Sequence, residues 1–302
     1  MAHSHAPALT SDTSPDRSKR VLSAAIINLS FTIIELIGGL LTNSVAVLSD
    51  ALHDLGDSIA LFSSYFAERQ AQRGPDAKRT FGYARISVFS AFINATILMV
   101  GSIFILNEAI HRLFAPEPVH AIGVIWLAVF GIVVNYIAYA RLNKGVSINE
   151  QVLSWHLLED VIGWVAVLIG SIIMYFTDFY LIDPILTIGF TLFILWGVWG
   201  GMRDVLNILM EGTPADIDIT AVIEAISTIS NIESVHDVHV WSLDGENHIL
   251  TCHVVVPNYD AIITENLKDK IEHNLESFNI KHTTIEFETP GQCEDLICAV
   301  AR

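Results

Sequence analysis

The chain is poor in positive charge and in cysteine, and each shortage removes a class of function. Sixteen Lys and Arg stand against 33 Asp and Glu in 302 residues, a formal charge of −17. A surface of that sign repels phosphate and attracts cations, which argues against nucleic acid as a partner. The three cysteines, Cys252, Cys293 and Cys298, all lie in the last third of the chain. In a reducing compartment they form no structural disulfide, and their thiols stay available to metal. The first twenty residues contain no apolar run, so no cleavable signal peptide is expected and the first apolar segment stays as a membrane span.

What is abundant is apolar: 52% of residues are hydrophobic and the mean hydropathy is +0.50. Six long apolar segments, near 20–42, 46–68, 86–110, 119–141, 151–177 and 180–208, each approach or exceed the ~20 residues a helix needs to cross hydrocarbon. Lys and Arg collect on one side of the implied bilayer. Arg17, Lys19 and Arg20 precede span one, five more from Arg69 to Arg85 separate spans two and three, Arg141 and Lys144 follow span four, and Arg203 closes span six. Arg112 alone falls in a connection on the other side. Basic residues are retained in the cytoplasm, so both termini are expected there.

From about Gly212 the composition becomes that of a soluble domain, with 16 Asp and Glu against 4 Lys and Arg. Ile217 to Ile229 reads as an amphipathic helix, Ser234 to Leu243 as a strand, Asp244-Gly245 as a hairpin turn and His248 to Val256 as its partner. A helix near Ile262 to Leu275 and a strand at Thr283 to Phe287 complete an αββαβ order, suited to a small ferredoxin-like sandwich. The expected division is a cytoplasmic tail over 1–16, a six-span transmembrane domain over 17–211 and a cytoplasmic α+β domain over 212–302.

Inside this apolar chain sit two copies of one polar spacing, His53 with Asp57 and His156 with Asp160. Ionisable groups within a span are costly and mark function. Residues four apart share a helix face, so each segment turns an imidazole nitrogen and a carboxylate oxygen to one side, and two such helices face to face complete a four-donor cage. Nitrogen and oxygen donors in tetrahedral array suit Zn²⁺, whose charge two carboxylates cancel. Buried polar pairs that merely join helices are the rival reading. Asp50, three residues before His53, either lines the cytosolic mouth of the cage or only flanks the span, and Asp54 faces water or another helix. Glu35, Asn28, Asn94 and Asn135 read mainly as interhelical partners, with Glu35 the candidate for a proton path.

Several segments together resemble the cation diffusion facilitator family, in particular its zinc-type bacterial branch, which is similar to the animal zinc transporters. They are Ser44-Val-Ala-Val-Leu-Ser-Asp50-Ala-Leu-His53 with Asp57, Phe81-Gly-Tyr-Ala-Arg85, His156 with Asp160, Glu211-Gly-Thr-Pro214, and Val235-His-Asp-Val-His-Val-Trp-Ser-Leu243. The resemblance implies a homodimeric exporter in the bacterial plasma membrane that moves Zn²⁺, and to a degree Cd²⁺, out of the cytosol in exchange for protons. Its transport site falls on His53, Asp57, His156 and Asp160. A histidine at position 53, where broader-range members carry aspartate, implies zinc preference. The resemblance also places cytosolic zinc at His236, His253, His282 and Glu288, and a second cytosolic site at Cys293 and Cys298 with His3 and His5.

Two departures are visible. Ser87 stands where members often carry an acidic residue, which removes one expected ionic contact. The loop from Arg69 to Arg85 has neither histidine nor cysteine, so the loop metal site of some members is expected to be missing. His236 and His253 meet across the predicted hairpin. By strict alternation His239 points to the opposite face and serves packing or a dimer contact, while His248 and His273 are solvated. An intramembrane zinc hydrolase fits poorly, since no general base is placed as in HExxH and four protein donors leave no open position for water. A metal-gated channel or sensor is the other alternative.

Overall fold

The computed structural model describes residues 15–71, 73–142, 148–258 and 260–291, with side chains from 28 onward except at 148–156 and scattered positions near 61–72 and 138–142. The six apolar segments are helices: α1 Pro15–Thr42, α2 Val45–Ala71, α3 Arg85–Phe114, α4 Ala121–Leu142, α5 Ile148–Thr177 and α6 Ile182–Leu209. Among the described residues, three stretches are long and apolar enough to cross a membrane, Arg85–Phe114, Leu157–Thr177 and Ile182–Leu209, and the described parts of α1 and α4, Asn28–Thr42 and Ala121–Ile137, are apolar as well. The expectation of six spans is thus met in three. α2 falls short because Asp50, Asp54 and Asp57 interrupt its apolar run. Side chains such as Ile37, Leu40, Phe104, Phe193, Trp196 and Trp199 are exposed. That much apolar surface is unfavourable in water and natural against lipid.

By packing, the chain forms two compact units, one from the helices up to Phe66 and from Ser90 to Met202, the other from Ala67–Phe89 and Arg203 onward. In the first, Phe31, Val47, Val124, Ala128, Trp164 and Met174 form the core. The Phe31 ring meets Trp164 edge-on at 6.2 Å. A Cβ at Gly131 would lie 2.6 Å from the Trp164 ring, so only glycine lets α4 come this close to α5.

Polar ties hold α2 in place. The Asp183 carboxylate of α6, 1% exposed, accepts from the Val45 backbone N–H at 2.8 Å and from the Ser44 hydroxyl. It thereby caps the start of α2 from a different helix, satisfying donors that a helix leaves open. Ser49 and Thr191 pair at 3.0 Å between the same two helices. Asn28 Nδ2 donates to the Asp54 carbonyl at 3.2 Å and to Ser58 Oγ at 3.1 Å, joining α1 to α2. At the α1–α2 turn, where Asn43 has φ of +54°, Arg112 donates to the Asn43 carbonyl and side-chain oxygen, both at 2.8 Å.

In the second unit the expected αββαβ order is observed: α7 Ile219–Ser227, β1 Ser234–Ser242, β2 His248–Val255, α8 Ala261–Leu275 and β3 Ile280–Glu288. Asp218 and Asp260 cap the two helices, Asp218 accepting from the Thr220 N–H and Asp260 from the Ile262 and Ile263 N–H groups. β2 is central, antiparallel to β1 and parallel to β3. Leu250, Cys252 and Val254 alternate onto one face of β2 and pack with Val222 and Ile226 of α7 and Leu267, Ile271 and Leu275 of α8. Burial pushes the Cys252 thiol up to about 12, so this cysteine fills the core and offers no thiolate to metal.

The same unit includes the segment before α3. Arg85 reaches Glu211 at 3.0 Å, so the arginine of the Phe81–Arg85 motif pairs with the glutamate of Glu211-Gly-Thr-Pro214. The Tyr83 hydroxyl and the Arg79 and Lys78 backbone N–H groups order the loop around Asp76 and hold its carboxyl below the ordinary range.

Candidate metal centres

On α2, His53 Nε2 and Asp57 Oδ2 are 3.9 Å apart, with side chains 25% and 29% exposed. Helical spacing alone accounts for this, one turn separating the two residues. Asp160 of α5 is half-buried. The side chain of His156 lies outside the described residues. Glu35 of α1 is 1% exposed and has Asp54, Asp50 and Asp160 as charged neighbours. Asp54 is itself buried and so turns toward α1 rather than toward water.

The tightest gathering of metal-donor side chains among the described residues is elsewhere, at His236, His253 and Glu288, whose donor atoms all lie within 4.8 Å of one another. Pairing positions them. His236 and His253 are register partners across the β1–β2 hairpin, and Glu288 lies beside Val255 where β3 runs parallel to β2. His253 Nδ1 is 2.9 Å from Glu288 Oε1, and His236 Nε2 is 3.4 Å from Glu288 Oε2. The three side chains are 9%, 19% and 10% exposed.

His236 Nε2, His253 Nδ1 and Glu288 Oε2 are buried and, although the imidazole nitrogens approach the carboxylate, form no aligned hydrogen bond among the described residues. Orphaned buried polar atoms cost about 1–3 kcal/mol each. One cation at their meeting point satisfies all three, and two imidazoles with a carboxylate suit Zn²⁺, leaving a fourth tetrahedral position open.

His282 is not drawn into this trio. It sits six residues before Glu288 on the same strand, about 20 Å away at ~3.3 Å per residue, and its ring packs edge-on against Phe81 at 5.5 Å. His239 also departs from expectation. A bulge between His236 and His239 sets two β1 residues against one of β2, so His239 pairs with Thr251 and shares the His236 face. The residue that turns the strand is Asp237, with φ of +51°. Its Oδ1 is 3.1 Å from His239 Nε2 and its Oδ2 is 3.6 Å from His253 Nε2. Sequence reasoning missed Asp237 because alternation carries no mark of a bulge. His248 proves buried, 3.6 Å from Asp216, whereas His273 is solvated as expected. Cys293, Cys298, His3 and His5 lie outside the described residues.

Comparison with known proteins bears on both halves of the chain. Residues 21–210 match the cation efflux transmembrane domain, and residues 214–290 match the cytoplasmic domain of cation efflux proteins. The zinc transporter ZitB of Pectobacterium atrosepticum is 37% identical over 306 residues, covering 99% of this chain and 92% of that protein. A cadmium, cobalt and zinc/H(+)-K(+) antiporter of Bacillus subtilis is 36% identical, covering 92% and 91%. The cation efflux system protein CzcD of an Alcaligenes species is 35% identical, covering 93% and 89%.

Proposed function

This chain belongs to the cation efflux family of metal transporters, the cation diffusion facilitators, and on that premise we propose that it is a dimeric, six-span exporter of Zn²⁺ that exchanges the metal for protons. The observation that carries the reading is the repeated His–Asp spacing on two helices of a membrane domain, His53 with Asp57 on α2 and His156 with Asp160 on α5. Both termini and the domain from Gly212 onward face the cytosol, and the bacterial inner membrane holds the chain. Cd²⁺ is a secondary substrate.

The cycle uses one cage twice. Facing the cytosol, neutral imidazoles and ionised carboxylates capture the ion. Facing outward, protons compete for the same lone pairs and release it. Histidine suits this exchange because an unperturbed imidazole titrates near ~6.5. Asp50 and Glu35 serve the approach of the ion and the path of the proton. The cluster of His236, His253 and Glu288 binds cytosolic Zn²⁺ and regulates transport. Its three orphaned donor atoms support that role.

Metal flux in proteoliposomes tests the proposal, measured for Zn²⁺, Cd²⁺, Mn²⁺ and Fe²⁺ with an imposed pH gradient. Zinc uptake against its gradient, driven by protons moving the other way, is the expected result. Proton-independent flux that follows the electrical potential makes the protein a channel and overturns the exchange.

A further inference from the structure

We propose that Asp237 is the outer carboxylate that orients His253 for the ion held by His236, His253 and Glu288; the inference rests on the reading of that trio as a zinc site. A neutral imidazole has one N–H and one lone pair. His253 Nδ1 faces Glu288 at 2.9 Å, so ligation through Nδ1 requires the proton on Nε2. A carboxylate on the Nε2 side favours that tautomer, locks the ring and raises the donor strength of the other nitrogen.

Two carboxylates stand there. Glu286, at 3.5 Å, is 69% exposed on a long side chain. Asp237, at 3.6 Å, is 12% exposed, and its other oxygen is held by His239 at 3.1 Å. Asp237 is the anchored one. The separation of 3.6 Å is an ion-pair distance, beyond a formed hydrogen bond.

The backbone supports the assignment. In unbroken alternation Asp237 would point away from the face that His236 occupies. The bulge and the left-handed conformation at +51° return its carboxylate to that face. Left-handed backbone is unfavourable for any residue with a Cβ, less so for aspartate, and such strain collects where a side chain is put to use. His239, Asp237 and His253 thus form a chain leading to the metal position.

The test uses the full chain in detergent micelles, in an Asp57→Ala, Asp160→Ala background that removes carboxylates of the transport cage, with Zn²⁺ titrated against a competing chelator. His253→Ala is expected to abolish the cytosolic binding; if zinc affinity is unchanged, the trio is not a zinc site and both readings fail. Asp237→Gly removes the carboxylate while relaxing the left-handed backbone. Zinc affinity is expected to fall about 10–100-fold, with the zinc-free melting temperature not lowered. If His253→Ala abolishes binding but Asp237→Gly binds zinc as tightly as its parent, Asp237 only shapes the strand and the inference is overturned. In Asp237→Asn, which keeps an acceptor, nitrogen NMR of labelled histidines should still show His253 protonated at Nε2, and in Asp237→Gly a mixture of tautomers. A parent that binds two zinc ions in the cytosolic domain, one lost with Asp237, makes this residue a direct ligand and also overturns the inference.

Discussion

The two donor sets of this chain differ in how tightly they are drawn. On α2 the imidazole and carboxylate stand 3.9 Å apart, each about a quarter exposed. In the sheet the corresponding approach is 2.9 Å between His253 and Glu288, and the donors are nearly enclosed. A helix sets its donors one turn apart and relies on a second helix to complete the site, so relative movement of the helices changes the coordination. Three hydrogen-bonded strands have no such freedom, because the ladder fixes their spacing. A cargo site must release its ion on every cycle, and a sensing site must hold its ion long enough to report it. On the proposed reading, the pair on α2 suits the first task and the trio in the sheet the second.

That contrast breaks most visibly at the cage. His53→Ala, Asp57→Ala, His156→Ala and Asp160→Ala are each expected to abolish zinc flux in proteoliposomes while leaving a folded dimer on size exclusion. Unchanged flux in any two of them removes the cage. A smaller effect is expected in the sheet. His253→Ala should lose the rise in melting temperature that zinc gives the cytosolic domain, since a ligand that binds the folded state stabilises it by mass action. Flux in that variant should slow without stopping, and complete loss of flux in a properly folded dimer would refute a regulatory role. The smallest change concerns selectivity. His53→Asp replaces an imidazole by a carboxylate and makes the cage more permissive, so the Cd²⁺ to Zn²⁺ transport ratio should rise severalfold; competition assays with an unaltered ratio would count against it.

Much of the architecture was legible because its signals are local. Long apolar runs mark the helices, and the hairpin turn at Asp244-Gly245 marks the small domain. β3 begins at Ile280, three residues before the expected Thr283. Strand ends depend on pairing with a neighbour, which sequence does not display. The His–Asp spacing on α2 and α5 was equally plain, since one helical turn is a property of the chain itself.

The sheet site divides the two kinds of knowledge. His236 and His253 were visible as a cross-strand pair, because a hairpin brings together residues at predictable distances from its turn. His282 was grouped with them on resemblance, and the length of β3 carries it away to Phe81. His239 was assigned to the wrong face and Asp237 was overlooked for a single reason, the extra residue that the bulge inserts between His236 and His239. Composition, hydrophobic period and turn chemistry determined that this is a helical membrane chain with a small acidic α+β domain and a His–Asp repeat. Which side chains share a face of the sheet, and the cap that Asp183 places on α2 from a distant helix, were decided only by tertiary structure, because register and interhelical contact join residues whose separation along the chain carries no local signal.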